Sequence, residues 1–216
     1  MSLFRLDASI RIDGSASREI ADIVEQEWRA GDPGAEVVSR HIGVEPIPAT
    51  AWADAVSGSA LPESQRTAEQ SAATALATAL VDELDDADAL LFAVPLYNYG
   101  VSQHFKTYVD LVIADPRMAP GSTLLAGKPA VLATVRGGNY AAGAPREGWD
   151  HATAWMRRIL GDLWGLDLRV VERELTLVGV NPALDRFTAI ADDLREQAEA
   201  AAREHGRALR PIRLAA

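Results

Sequence analysis

The chain has 216 residues, of which 48% are hydrophobic and 24% charged, with no cysteine and a formal net charge of −10. That length and balance fit one globular domain with its own core, and exclude a disulfide scaffold, a thiolate metal site and a thiol nucleophile. The acidic balance argues against broad attachment to nucleic acid or anionic lipid, and no apolar run reaches the roughly 20 residues of a membrane span. The first residues, Met1-Ser2-Leu3-Phe4-Arg5, lack the pattern of a secretory leader, so the expected location is cytoplasmic.

Residues 3–8 alternate apolar and polar side chains and run into a loop holding Ser9 and Asp13-Gly14-Ser15-Ala16-Ser17. Ile20, Ile23, Val24 and Trp28 then share one helical face, with Ser15 or Ser17 as N-cap and Gly31 as the stop. Residues 36–40 read as a second strand, and 43–62, with three prolines among small residues, as a long surface excursion. The alanine-rich stretch from Glu63, with Leu76, Leu80 and Leu84 every four residues, predicts a helix to about Asp85.

The apolar run 89–94 predicts a third strand, emptying into Pro95-Leu96-Tyr97-Asn98-Tyr99-Gly100. Val101, Phe105, Tyr108, Val109 and Val112 predict the helix that follows, to about Ala114. Prolines and glycine make 115–127 a loop, expected at a rim of the site. Residues 128–135 predict a buried parallel strand ending at Arg136-Gly137-Gly138. An irregular stretch at 143–150, a helix through Trp155, Ile159, Leu163 and Trp164, a strand at 168–171 and a helix from about Leu184 to Gly206 complete the pattern, leaving 207–216 as a tail.

Five strands alternating with five helices imply a single α/β domain over 1–216. Its architecture is a doubly wound parallel sheet with helices on both faces, in the flavodoxin-like order 2-1-3-4-5. That order sets the loops after the first, third and fourth strands side by side. Ser9, Ser15 and Ser17, with free N–H groups at a helix start, suit a phosphate, although one of the serines can equally be a plain N-cap. Tyr97 and Tyr99 offer flat faces and Asn98 a donor and acceptor, or else they form an ordinary packed turn. Gly137 and Gly138 allow close backbone approach to a ring, and Arg136 can neutralise charge; the alternative is a glycine turn with a solvated arginine. The three loops together describe an aromatic ring system bearing a phosphate. Without a Gly-x-Gly-x-x-Gly fingerprint or a Gly-Lys-Ser/Thr phosphate loop, a mononucleotide such as FMN is the natural fit.

On these residues the chain resembles the FMN-dependent NADH:azoreductase and quinone reductase family of flavodoxin-like enzymes. The matching features are Ser9 with Ser15-Ala16-Ser17, Pro95 to Tyr99 followed by the helix bearing Phe105-Lys106-Thr107-Tyr108-Val109-Asp110, and Arg136-Gly137-Gly138. The resemblance implies tightly bound FMN, its phosphate held by Ser9, Ser15, Ala16 and Ser17. Pro95, Leu96, Tyr97, Asn98 and Tyr99 would flank the isoalloxazine, and Arg136, Gly137 and Gly138 would meet its polar edge. It further implies NADH or NADPH as co-substrate, ping-pong reduction of a quinone or azo acceptor, no catalytic side chain and no metal, and a homodimer with active sites at the interface. Asn98, Tyr140 and Trp164 are the expected substrate-pocket residues. Three features differ from the family: a short 115–127 segment, Val135 in place of a serine, and Leu160-Gly161-Asp162, which lacks the usual aromatic and leaves Trp164 as its substitute.

Two other classes fit parts of the pattern. One is a hydrolase pairing a loop serine with His41, His104, His151 or His205, without the Gly-x-Ser-x-Gly elbow such enzymes carry. The other is an electron carrier or non-catalytic flavin-binding protein, favoured by the shortened loop. A reductase for a specialised pathway substrate is a variant of the main reading.

Overall fold

A computed structural model describes residues 1–32 and 34–210; positions 211–216 of the expected tail, and Pro33, lie outside the described residues. Five parallel strands, β1 (Ser2–Asp7), β2 (Glu36–His41), β3 (Ala89–Tyr97), β5 (Pro129–Val135) and β6 (Asp167–Arg173), form one sheet in the order β2-β1-β3-β5-β6. This is the predicted 2-1-3-4-5 order of the parallel strands. The additional β4 (Gly100–Val101) folds back antiparallel on the end of β3.

Strand periodicity divides the core in two. Leu3, Leu91, Ala93, Val131 and Ala133 point to one face, where they meet Ile20, Val24 and Trp28 of α1 (Ala16–Gly31) and Ala198 and Ala202 of α6 (Thr188–Ala208). Phe4, Leu6, Leu90, Phe92 and Leu132 point to the other. There they pack on α2 (Ala51–Ser59), α3 (Ala68–Asp86), α4 (Gln103–Ala114) and the short α5 (Thr153–Arg157). The near-continuous burial of β3, eight of nine positions, is what a central strand covered on both faces requires.

Three expectations change. The excursion 43–62 contains α2, whose Ala51, Ala55 and Gly58 face inward while Trp52 and Val56 face solvent. Small residues are the buried ones because α2 lies so close to α3 that a Cβ at Gly58 would press on Gln70 and Thr74. An apolar stripe is therefore absent from its inner face. Near Trp155 the chain makes only a short α-helix, then a π-helical turn over Arg158–Leu163, with the Trp164 N–H bonded to the Ile159 carbonyl.

The third change concerns 115–127. This segment follows α4 and precedes β5, so it lies at the end of the sheet where strands begin. Arg117 ties it to Asp115, Asp82 and the Thr78 carbonyl, the Gly127 N–H bonds Gly165, and Met118 and Leu125 fill the core beneath. It does not form a rim of the crevice, which in a parallel sheet opens at the opposite edge.

Candidate active site

At the carboxyl ends of β1, β3 and β5 lies a cleft lined by Ser9, Ser15, Ala16, Ser17, Leu96 and Tyr97, among others. The sheet order brings the three predicted loops together here. Each is held by a separate device.

Loop one is set by the start of α1. Ser15 is the N-cap, its Oγ accepting from the Arg18 N–H, and lies 3.3 Å from Ser17 Oγ. Ser9, Ser15 and Ser17 are each at least 96% buried, so their hydroxyls are desolvated at a helix N-terminus whose first N–H groups have no intrahelical acceptor. Behind the loop, the Arg18 guanidinium donates to the carbonyls of Arg11 and Ile12. Such a donor set matches a phosphate.

Loop three is tighter than a strand-to-helix turn. Leu96 pairs with Val101 and Tyr97 with Gly100, so Asn98 and Tyr99 form a two-residue hairpin, with φ of 49° and 67°. Consecutive left-handed residues are what a type I′ hairpin demands. Asparagine tolerates that geometry, whereas tyrosine is strained in it. The strain is offset by contacts: the Tyr99 carbonyl accepts the His151 N–H at 3.0 Å, and its ring meets Trp149 at 5.3 Å and Tyr140 at 6.5 Å between centroids. Because Val101 is committed to the hairpin, the helix begins at Gln103, with Ser102 Oγ accepting from the Phe105 N–H.

Loop four departs from expectation in its side chains. Arg136 is 93% buried, yet its guanidinium does not reach the cleft; it donates to Asp150, Glu174, Glu172 and Thr153. Burial works against this charge, but Glu172 and Asp150 together hold the Arg136 pKa above its usual value. Arg136 is thus a cross-brace between β6 and the 139–150 loop rather than a partner for ligand charge. The glycines also serve protein contacts. A Cβ at Gly137 would collide with Leu177 at 2.7 Å, and one at Gly138 with Arg146. The carbonyls of residues 136, 137 and 138 accept from the N–H groups of Thr176, Leu177 and Leu175.

Of the expected substrate residues, Asn98 and Tyr140 line a second hollow that adjoins the cleft. Trp164 does not. It is 2% exposed in the core and packs on Phe92 at 6.4 Å, because the π-helical turn directs it inward. Four lining residues, Arg11, Val135, Thr176 and Leu177, were not among the expected site residues. Arg11 lies between the loop-one serines and was open to detection. Thr176 and Leu177 follow the last strand and arrive only by tertiary folding.

Among the described residues no histidine hydrogen-bonds Ser9, Ser15 or Ser17, and no group of three or more His, Asp or Glu is placed to hold a metal. No helix among them is long and apolar enough to cross a membrane.

Comparison with known proteins agrees with this geometry. The profile of the flavodoxin-like fold family matches residues 1–204. FMN-dependent NADH:quinone oxidoreductase of Frankia casuarinae is 37% identical over 204 residues, covering 93% of this chain and 96% of its own. The protein of the same name from Streptomyces coelicolor is 33% identical, covering 93% and 91%. Among solved structures, an azoreductase from Bacillus anthracis superposes with a TM-score of 0.78 at 19% identity, over 96% of this chain and 99% of that one. A second B. anthracis structure, an FMN-dependent NADH-azoreductase in complex with FMN, has a TM-score of 0.70 at 15% identity, over 95% and 100%. The chain belongs to the flavodoxin-like family of FMN-dependent NADH:quinone oxidoreductases.

Proposed function

We propose that this protein binds FMN in the cleft and uses it to pass reducing equivalents from NADH or NADPH to a quinone or azo acceptor. The observation that carries the reading is the pairing, in one cleft, of desolvated serine hydroxyls at the start of α1 with the Leu96–Tyr97 wall. One end suits a phosphate and the other a planar ring. When bound, FMN would supply the hydride and electron-transfer chemistry that links the pyridine nucleotide to the acceptor.

In this reading Ser9, Ser15, Ser17 and the Ala16 N–H hold the phosphate, while Pro95, Leu96 and Tyr97 support the ring. Gly137 and Gly138 contribute backbone at its polar edge. The chain supplies binding, orientation and exclusion of water, and no side chain is required as nucleophile. Nucleotide and acceptor take turns over the same hollow by Asn98, Tyr99 and Tyr140, which makes the kinetics ping-pong. The apolar side chains left exposed at Ile10, Ile12, Tyr99 and Trp149, with Trp52 and Val56 on α2, support a homodimer in this reading.

An FMN titration followed by anaerobic mixing with NADH tests the reading. Stoichiometric uptake and rapid bleaching of the flavin band are expected. Protein that takes up no FMN, or whose flavin NADH leaves oxidised, overturns it. Sedimentation at twice the 23.1 kDa chain mass is expected for the dimer.

A further inference from the structure

The hollow beside the flavin cleft is walled by Leu96, Tyr97, Asn98, Tyr99, Tyr140 and Leu177, and among the residues lining it Arg146 alone is charged. Its guanidinium stands 5.9 Å from the Tyr99 ring centroid and fills the space that a side chain at Gly138 would need. The carboxylates nearby on the same loop and the adjoining strand end have other partners. Asp150 is held by Arg136, the Ala152 and Thr153 N–H groups and the Thr153 hydroxyl; Glu174 accepts from Arg136 and the Tyr140 N–H; Glu147 accepts from the Gly143 N–H. Among the described residues Arg146 makes no ion pair. Burial raises the Tyr140 phenol pKa while Arg146 opposes the rise, as a cation close to that ring would.

A planar aromatic wall with one uncompensated guanidinium is chemically selective. The rings of Tyr99 and Tyr140 favour a flat ligand, and the fork of an arginine matches a carboxylate or sulfonate. We propose that Arg146 makes this hollow prefer acceptors carrying an anionic substituent on a planar aromatic frame. The proposal rests on the reductase reading above, and goes beyond it in naming the acceptor's charge. Arg146 is solvent-exposed, so the preference is moderate and weakens with salt.

The test compares kcat/KM for 1,4-naphthoquinone-2-sulfonate with that for menadione, using FMN-loaded protein, in wild type, Arg146→Gln, Arg146→Lys and Arg146→Glu. The sulfonate-to-neutral ratio is expected to fall about fivefold in Arg146→Gln and further in Arg146→Glu, to stay near wild type in Arg146→Lys, and to shrink for wild type in 0.5 M salt. An unchanged ratio in Arg146→Gln and Arg146→Glu overturns the proposal. So does a fall in the NADPH-to-NADH ratio with the acceptor ratio intact, since the charge would then serve the nucleotide's phosphate. Binding of naphthalene-2-sulfonate, followed by tryptophan quenching, needs no turnover and separates this proposal from the reductase reading. Wild type should bind about fivefold tighter than Arg146→Gln, and equal affinities overturn the proposal even if the flavin never bleaches.

Discussion

The Tyr97 hydroxyl stands 3.3 Å from Ser9 Oγ and accepts the Ile10 N–H at 3.2 Å, so the end of β3 is stapled to the loop after β1. The phenol that would flank a flavin ring therefore also fixes the loop that would hold its phosphate. Tyr97→Phe keeps the flat face and removes the staple. The expected loss is about 1 kcal/mol of FMN binding, or about fivefold in Kd, read by fluorescence titration. Unchanged affinity would show that the staple plays no part in shaping the cleft.

Gly137 has its place because Leu177 does. Gly137→Ala drives a methyl group into the Leu177 side chain and is expected to cost about 1–3 kcal/mol. Gly137→Ala/Leu177→Ala should recover part of that loss in thermal melts, since the clash is removed. Additive losses would place the cost in the Gly137 backbone instead.

Arg136 braces the 139–150 loop through Asp150, Glu172 and Glu174. Arg136→Met strands these acids and is expected to cost about 3 kcal/mol, with Arg136→Lys milder because it keeps the charge but loses the fork. The pH dependence has a definite sign. Burial works to raise the pKa of both Asp150 and Glu172, yet Thr153 for the first and Arg157 and Arg136 for the second hold them below the usual carboxylate range. Carboxylates lowered in the folded state stabilise it above their unfolded pKa, about 4, and that contribution disappears as pH falls through the folded values. Denaturant midpoints measured from pH 6 downward should therefore fall below about pH 4.

Gly206 on α6 meets the backbone of α1, where an added Cβ would lie 2.7 Å from the Val24 carbonyl oxygen. Alanine normally favours a helix, so propensity alone predicts that Gly206→Ala stabilises. Backbone cannot yield as a flexible side chain can, and we expect destabilisation by about 2 kcal/mol and a Tm lower by about 4–8 °C. A rise in Tm would show that the helices separate at little cost.

Strand and helix order was open to reading because period-2 and period-3.6 patterns are local. Leu3 to Asp7 alternates apolar and polar side chains, Ala89 to Val94 and Pro129 to Val135 are short apolar runs, and each ends at a polar loop. Helix α2 escaped because its buried face is Ala51, Ala55 and Gly58. Side chains that small carry no apolar stripe, and the large residues Trp52 and Val56 point outward.

The amino-acid sequence by itself determined the five parallel strands, their order, and the convergence of Ser9, Ser15, Ser17, Tyr97 and Gly137 at one edge of the sheet, since topology follows from alternation and right-handed crossover. Only the tertiary structure decided where the charges go. Arg136 turns into a carboxylate cluster because three acids from two distant segments meet it, and Trp164 turns into the core because a π-helical turn rotates it there. Leu177 and Arg146 reach the hollow beside the cleft from segments with no motif of their own. Pattern is a property of neighbours in the chain, whereas ion pairing and side-chain direction depend on which distant groups arrive beside them.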